Sequence, residues 1–282
     1  MASSIKRSKI ISDNLAYLFC IALSVFVLLP MWIAVMGGFK SMGQLIANPL
    51  GLPVPFEVHQ YTDLLVGKVG TFWRSLGNSA LIAFGTVGLT LVACVLASFA
   101  LARIRFRLNK LMAGYFMLGL LFPLAVAILP LYLQIRTLGL LDKYSGVILP
   151  QVAFQLPMII LLMKGFFEAV PQDLEDACAI DGYGPVGFLL HMVLPLSTPI
   201  LATTAVITLV ASWNNFFLPL LVFNEPGRFT LPMGVMNFQG QHASQWNLIL
   251  GYLSLAMVPA VILFIAAQRY IVAGLTGGAV KG

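Results

Sequence analysis

The chain has 282 residues and a net charge of +6, from 16 Lys+Arg against 10 Asp+Glu; it is 60% hydrophobic and only 9% charged, with a mean hydropathy of +0.95. An average soluble domain is about 45–50% apolar and about 25% charged, and a chain near 300 residues buries only about 75% of its unfolded surface, so this composition needs a second apolar medium such as a bilayer. A soluble enzyme, a disordered chain and a small disulfide scaffold are excluded. The cysteines (Cys20, Cys94 and Cys178) are odd in number and lack metal-site spacing, so they read as small apolar residues.

A membrane-spanning helix takes about 20 residues, so the length holds roughly six. Lys6, Arg7 and Lys9 precede an apolar run over 15–36, too long for a signal peptide and without a cleavage site; it reads as an uncleaved first span. Residues 37–72 are Gly- and Pro-rich and predict an external connection, with a short surface helix near Gln60 to Val66. The second span covers 78–102 and is followed by the basic turn of Arg103, Arg105, Arg107 and Lys110. The third covers 111–135, interrupted by Pro123 and Pro130, and the fourth 146–167, with Pro150 and Pro157 inside it. Carbonyls freed by these prolines are tolerable only where neighbouring helices or a cavity satisfy them, so a central, kinked pair is expected. A polar stretch over 168–195 leads to the fifth span at 196–223, and a Gly-rich loop leads to the sixth at 248–267. With both termini in the cytoplasm, ten Lys and Arg fall in internal segments and six in external ones, as the positive-inside rule requires. The expectation is an all-α integral membrane protein, one transmembrane domain over 1–282, with no contact to nucleic acid.

The internal stretch 168–195 breaks the charge pattern. It holds Glu168, Asp173, Glu175, Asp176 and Asp181 but neither Lys nor Arg. Pro171 suits the first turn of a helix, the acids suit its positive N-terminal end, and Gly182 suits its termination. Leu174, Ala177 and Cys178, at i, i+3 and i+4, predict an apolar stripe. A helix of about 12 residues is about 18 Å long, too short to span. Anionic lipid attracts basic segments, not acidic ones. Such a helix either docks into a groove of a protein partner or is a solvated, capped loop.

The run Leu174-Glu175-Asp176-Ala177-Cys178-Ala179-Ile180-Asp181-Gly182, followed by Met192-Val193-Leu194-Pro195, resembles the EAA loop of ABC-importer permeases (Glu-Ala-Ala, three residues, Gly, nine residues, Ile, any residue, Leu-Pro). Asp176 stands at the Glu position, Cys178 at the second Ala and Met192 at the Ile. The tail from Gln268 to Gly282 and the segment Trp213-Asn214-Asn215-Phe216-Phe217-Leu218-Pro219-Leu220 resemble permeases of the maltose type, in particular the smaller of the two. The resemblance implies a type I importer fold of six spans with a cytoplasmic coupling helix, in the bacterial cytoplasmic (inner) membrane. It also implies three kinds of protein partner: a second, homologous permease, two cytoplasmic ATPase subunits and an extracytoplasmic solute-binding protein. No Gly-x4-Gly-Lys-[Ser/Thr] loop is present, so ATP and Mg are expected in the ATPase and no cofactor or metal in this chain.

Glu175, Asp176, Ala177, Asp181 and Gly182 are the residues this resemblance assigns to ATPase coupling. Polar residues inside spans are candidates for the solute path: Gln151, Gln155, Asn214, Asn215 and Thr208, with Gln134, Thr203 and Thr204 beside them. Interhelical hydrogen bonding is the competing reading. An absence of clearly buried acids or bases suits a neutral, hydroxyl-rich solute: a di- or oligosaccharide or a polyol, with glycerol phosphate as an alternative. Gln239, Gly240 and Gln241 lie in the loop that, in the sugar-importer family, reaches into the binding protein. A self-sufficient secondary carrier would need a buried coupling acid or an inverted repeat, and an intramembrane enzyme would need a catalytic set; neither pattern is present.

Overall fold

In the computed structural model, residues 2–239 and 244–277 are described, apart from the side chains of 2–13, 267 and 269–277. Helices follow one another along the chain: α1 (Ala2–Gly37), α2 (Met42–Ala47), α3 (His59–Val66), α4 (Phe72–Arg103), α5 (Asn109–Gly119), α6 (Leu124–Thr137) and α7 (Ser145–Glu168). Then come α8 (Gln172–Ile180), α9 (Pro185–Phe188), a π-helical turn (Leu189–Val193), α10 (Leu194–Leu196), α11 (Thr198–Trp213), α12 (Phe217–Val222), two 3-10 turns (Pro226–Arg228 and Pro232–Phe238) and α13 (Trp246–Gly277).

Among the described residues, four helical stretches are long and apolar enough to cross a membrane: Asn14–Gly37, Phe72–Arg103, Ser145–Glu168 and Trp246–Ala266. The number rises to six if two bent pairs each count as one span: Asn109–Gly119 with Leu124–Thr137, bent by 101°, and Pro185–Leu196 with Thr198–Trp213, bent by 77°. Pro123 sits at the first break in extended conformation, where its ring cannot continue a helix. Pro130, Pro150, Pro157 and Pro259 stay inside helices. The third span was expected to be interrupted by Pro123 and Pro130, and its break falls before Pro123 alone; the other bend lies at the start of the expected fifth span, between Leu196 and Thr198. Large apolar side chains such as Leu15, Phe26 and Phe84 are exposed, as a lipid environment requires.

The chain clusters into two compact units. One comprises Met1–Phe72 and Gly234–Pro259. There Gly38 comes so close to Gly251 that a Cβ on it would lie 2.6 Å from the Gly251 Cα. The hydroxyl of Tyr61 donates to Val35 O at 2.8 Å and lies 2.8 Å from Ser254 Oγ. The segment after α1 is ordered by Lys40, whose buried ammonium donates to Asn48 O (2.7 Å) and Pro49 O (3.0 Å).

The other unit comprises Trp73–Met233 and Ala260–Gly282. It has two apolar clusters. The first joins Phe99 and Leu101 of α4, Ile160, Met163 and Phe167 of α7, Cys178 of α8, Phe188 of α9 and Ile200 of α11. The second joins Ile82, Ile135, Val147, Leu218, Val222 and Phe223. Beside the second, Asn78 bonds three ways: its amide donates to Gly227 O (3.1 Å) and Phe229 O (3.0 Å), and its Oδ1 accepts from the Tyr144 hydroxyl (2.8 Å). Asp142 accepts from the backbone of Asn224 (2.7 Å) and of Glu225 (3.1 Å).

Candidate functional site

α8 has nine residues, fewer than the spacing suggested, because Pro171 precedes it in extended conformation and Asp181 closes it. Its end is a Schellman motif. Tyr183 N donates to Cys178 O at 2.9 Å, Gly182 N donates to Ala179 O at 3.1 Å, and Gly182 takes φ +85°. A Cβ at Gly182 would meet nothing within 4 Å, so glycine is required there by backbone conformation alone.

The two faces of α8 differ. Cys178 is buried and Leu174 half-buried against the first apolar cluster. Asp173, Asp176, Ala177 and Ile180, at i, i+3, i+4 and i+7, are exposed along the other side. Ala177 thus departs from the expected apolar stripe. On a nine-residue helix a small residue at the border of the buried arc adds little burial, so its side is set by its larger neighbours. Ile180 is 86% exposed, at the end of the acidic stripe and next to Gly182 and the half-exposed Tyr183. Sequence reasoning passed over Ile180 because an isolated apolar residue carries no periodic signal.

The acids divide too. Glu168 pairs with Lys164 at 2.6 Å within α7. Glu175 Oε2 lies 3.3 Å from Arg103 Nη1, an ion pair inside the unit. Asp173, Asp176 and Asp181 are exposed and make no ion pair among the described residues. Of the five predicted coupling residues, Asp176, Ala177, Asp181 and Gly182 therefore share the exposed side, while Glu175 faces Arg103. The Arg103 side chain is the residue that sequence reasoning missed: beside a span, its charge reads only as a topology signal.

Polar residues inside the helices form a second constellation. Gln151 of α7 is buried, and its Oε1 accepts from Thr86 Oγ1 of α4 (3.2 Å) and Ser212 Oγ of α11 (2.5 Å). Four residues along each helix stand Thr90, Gln155 and Thr208. Thr90 Oγ1, Gln151 Nε2, Gln155 Oε1 and Thr208 Oγ1 are buried without a partner among the described residues. Thr203 and Thr204 bond back to Pro199 O and Ile200 O of their own helix. Asn215 Oδ1 accepts from Leu218 N (3.0 Å) at the start of α12, while Asn214 and Gln134 are exposed. The solute-path candidates thus fall into an enclosed set around Gln151, a helix-capping Asn215 and an exposed remainder. Gln239 is exposed and bridges to Ser244; Gly240 and Gln241 lie outside the described residues, as do residues 278–282 of the tail motif. Among the described residues no group of His, Cys, Asp or Glu could hold a metal.

Residues 89–276 match the family described as binding-protein-dependent transport system inner membrane component. The chain is 36% identical over 207 residues to the sulfoquinovosyl glycerol transport system permease protein SmoH of Agrobacterium fabrum, covering 73% of each chain. It is 30% identical over 278 residues to the trehalose/maltose transport system permease protein MalG of Thermococcus litoralis, covering 98% of this chain and 99% of that one. The fold is shared with a chain of a bacterial ABC transporter involved in the import of the acidic polysaccharide alginate (TM-score 0.82, 21% identity, covering 94% and 98%). By the family match and these relatives, the chain belongs to the inner-membrane components of binding-protein-dependent transport systems, a permease subunit of an ABC importer with the type I fold, whose ATPase is a separate subunit.

Proposed function

We propose that the protein moves a di- or oligosaccharide, or a related polyol conjugate, and that α8 is the helix through which a cytoplasmic ATPase drives it. The observation that carries the coupling reading is the two-sidedness of α8. One side is fixed to the unit's apolar cluster, and the other presents Asp173, Asp176, Ala177 and Ile180 without a partner among the described residues. Acids at the rim of a basic cleft pair by charge, Ala177 permits close approach, and Ile180 fills an apolar pocket at the centre. ATP and Mg belong to the ATPase in this reading. In this reading a second permease chain and two ATPase subunits complete the assembly, and both termini lie on the cytoplasmic side with α8; the Lys and Arg distribution supports that orientation.

The carbohydrate reading is supported by the named substrates of the two relatives and by the set Thr86, Thr90, Gln151, Gln155, Thr208 and Ser212 on α4, α7 and α11, which consists of amides and hydroxyls. Neutral hydroxyl-rich solutes are bound by such groups. The unpaired atoms of Thr90, Gln151, Gln155 and Thr208 are the parts of the enclosed set with valence left for a solute hydroxyl, and Asn214 and Asn215 lie at the break after α11. The loop containing Gln239, Gly240 and Gln241 is assigned to the solute-binding protein.

The test is reconstitution of the chain with its cognate ATPase, second permease and binding protein in vesicles, with oligosaccharides offered one at a time. Uptake that requires ATP and the binding protein is expected. A map of that assembly with residues 172–182 facing open solvent, or uptake by this chain alone, refutes the coupling reading. Saturable uptake only of a non-carbohydrate solute refutes the substrate reading.

A further inference from the structure

A knob pushed by a partner moves solute only if its displacement reaches the membrane helices. α8 is joined to α7 through Ala169–Pro171, and a three-residue hinge without a further tie would absorb the push. The tie is Arg103, the last residue of α4. Its Nε and Nη2 both donate to Phe167 O of α7, at 3.1 and 2.6 Å. Nη2 also donates to Val170 O in the hinge itself. Nη1 reaches Glu175 Oε2 of α8 at 3.3 Å. The guanidinium carbon lies 6.0 Å from the ring centroid of Phe188 in α9. Every nitrogen of one planar group is thus engaged, and the side chain is 10% exposed.

We propose that Arg103 is the positioning residue that locks α8 to the ends of α4 and α7, so that displacement of α8 is passed to both helices as a rigid body. The inference rests on the coupling role of α8. Capping the last carbonyls of α7 alone does not require a bond to α8, and anchoring α8 by apolar burial alone does not require a bond to α7; the guanidinium does both. Lysine cannot replace it, because a single ammonium lacks the fork that holds Phe167 O, Val170 O and Glu175 in fixed directions. The same geometry gives Glu175 its place in the site. It holds the lever from inside, while Asp173 and Asp176 face outward.

The experiment uses the complete importer in vesicles and reads the solute imported per ATP hydrolysed, with the yield of assembled complex measured alongside. Arg103→Gln is expected to lower that ratio by about 2- to 30-fold, the span over which residues of a coupling network act, while ATP hydrolysis continues. Glu175→Gln and Arg103→Lys are expected to lower it by a smaller factor. The double variant Arg103→Gln/Glu175→Gln should be no worse than Arg103→Gln, because both remove the same tie. A residue with only a structural role would reduce assembly and both activities in proportion and leave the ratio unchanged; that result, or effects that multiply in the double variant, overturns the proposal. If Arg103→Gln does not assemble, the other two single variants decide, and a normal ratio in both overturns it. Gly182→Val serves as the control for the coupling role itself. If it too leaves the ratio unchanged, α8 is not the lever; if it lowers the ratio and the Arg103 and Glu175 variants do not, only the tie is refuted.

Discussion

Gly182 offers a test in which backbone conformation is separated from steric contact. Its φ of +85° lies where an L side chain costs about 1–2 kcal/mol, yet a Cβ there would touch nothing within 4 Å. A substituted chain has two options. It can bear the strain, or it can leave the left-handed conformation and lose the two bonds that close α8, Tyr183 N to Cys178 O and Gly182 N to Ala179 O. At about 0.5–1.5 kcal/mol per bond, the second option costs about 1–3 kcal/mol, so the cheaper route sets a penalty of about 1–2 kcal/mol. A shift of about 1.4 kcal/mol changes a population tenfold, enough to depopulate the shaped exit turn without unfolding the protein. In reconstituted importer, solute-stimulated ATP hydrolysis should fall in the order Gly, Asn, Ala, Val. Asn tolerates the left-handed region, Ala does not, and the branched Val is worst. Gly182→Asp keeps the tolerance of Asn but adds a carboxylate beside Asp181, and is expected to abolish the stimulation while the complex still assembles. If Ala matches the native protein, or Asn is no better than Val at equal assembly, the turn conformation is not what Gly182 supplies.

Ile180→Glu should weaken co-purification of the ATPase by at least about tenfold, since it puts a charge where apolar burial is expected, whereas Ile180→Leu should leave it intact; equal retention by both variants would count against an apolar centre. Asn78→Ala removes two donated bonds and one accepted bond, and should cost about 2–4 kcal/mol of stability, read as a lower thermal midpoint of the purified protein in detergent. The carboxyl of Asp142 is held below the usual aspartate range, first by the backbone N–H of Asn224, then by that of Glu225, the Asn224 amide and the Arg228 charge, against the opposing effect of burial. A depressed folded value means stability present above about pH 3.9, the ordinary aspartate value, and lost as pH falls through the lower folded one; thermal melts from pH 5 to 3 should show this loss, and Asp142→Asn should flatten it.

Much of the architecture is legible from hydropathy because a span has few ways to be apolar. α7 begins and ends within a residue of the expected range, and α3 lies where a short surface helix was expected. The joints were harder to place. Pro123, Pro130, Pro150 and Pro157 look alike in sequence, but only Pro123 sits at a break, following Gly119 and three residues that leave the helix. The others lose one backbone bond and remain inside their helices, an outcome that depends on neighbours no local pattern encodes. At the candidate site, the acidic stretch and the terminating glycine were readable because charge bias and a left-handed turn are local properties. The division of its acids was not. Whether Glu175 faces inward depends on Arg103, 72 positions earlier, and a basic residue at a span end has the same sequence signature whether it orients the chain or ties two helices.

The rungs shared by α4, α7 and α11 repeat at every turn: hydroxyl with hydroxyl in Thr86 and Thr90, amide with amide in Gln151 and Gln155, hydroxyl with hydroxyl in Ser212 and Thr208. Among the described residues one rung is bonded, while the oxygens of Thr90, Gln155 and Thr208 in the next have no partner. A helix that slid by four residues, about 6 Å at 1.5 Å per residue, would give up one set of bonds and meet the same chemistry again. A seam of leucines would resist such a slip by shape, and a single buried polar pair would forbid it. A doubled set leaves this seam a second register in which the same kinds of donor and acceptor face one another.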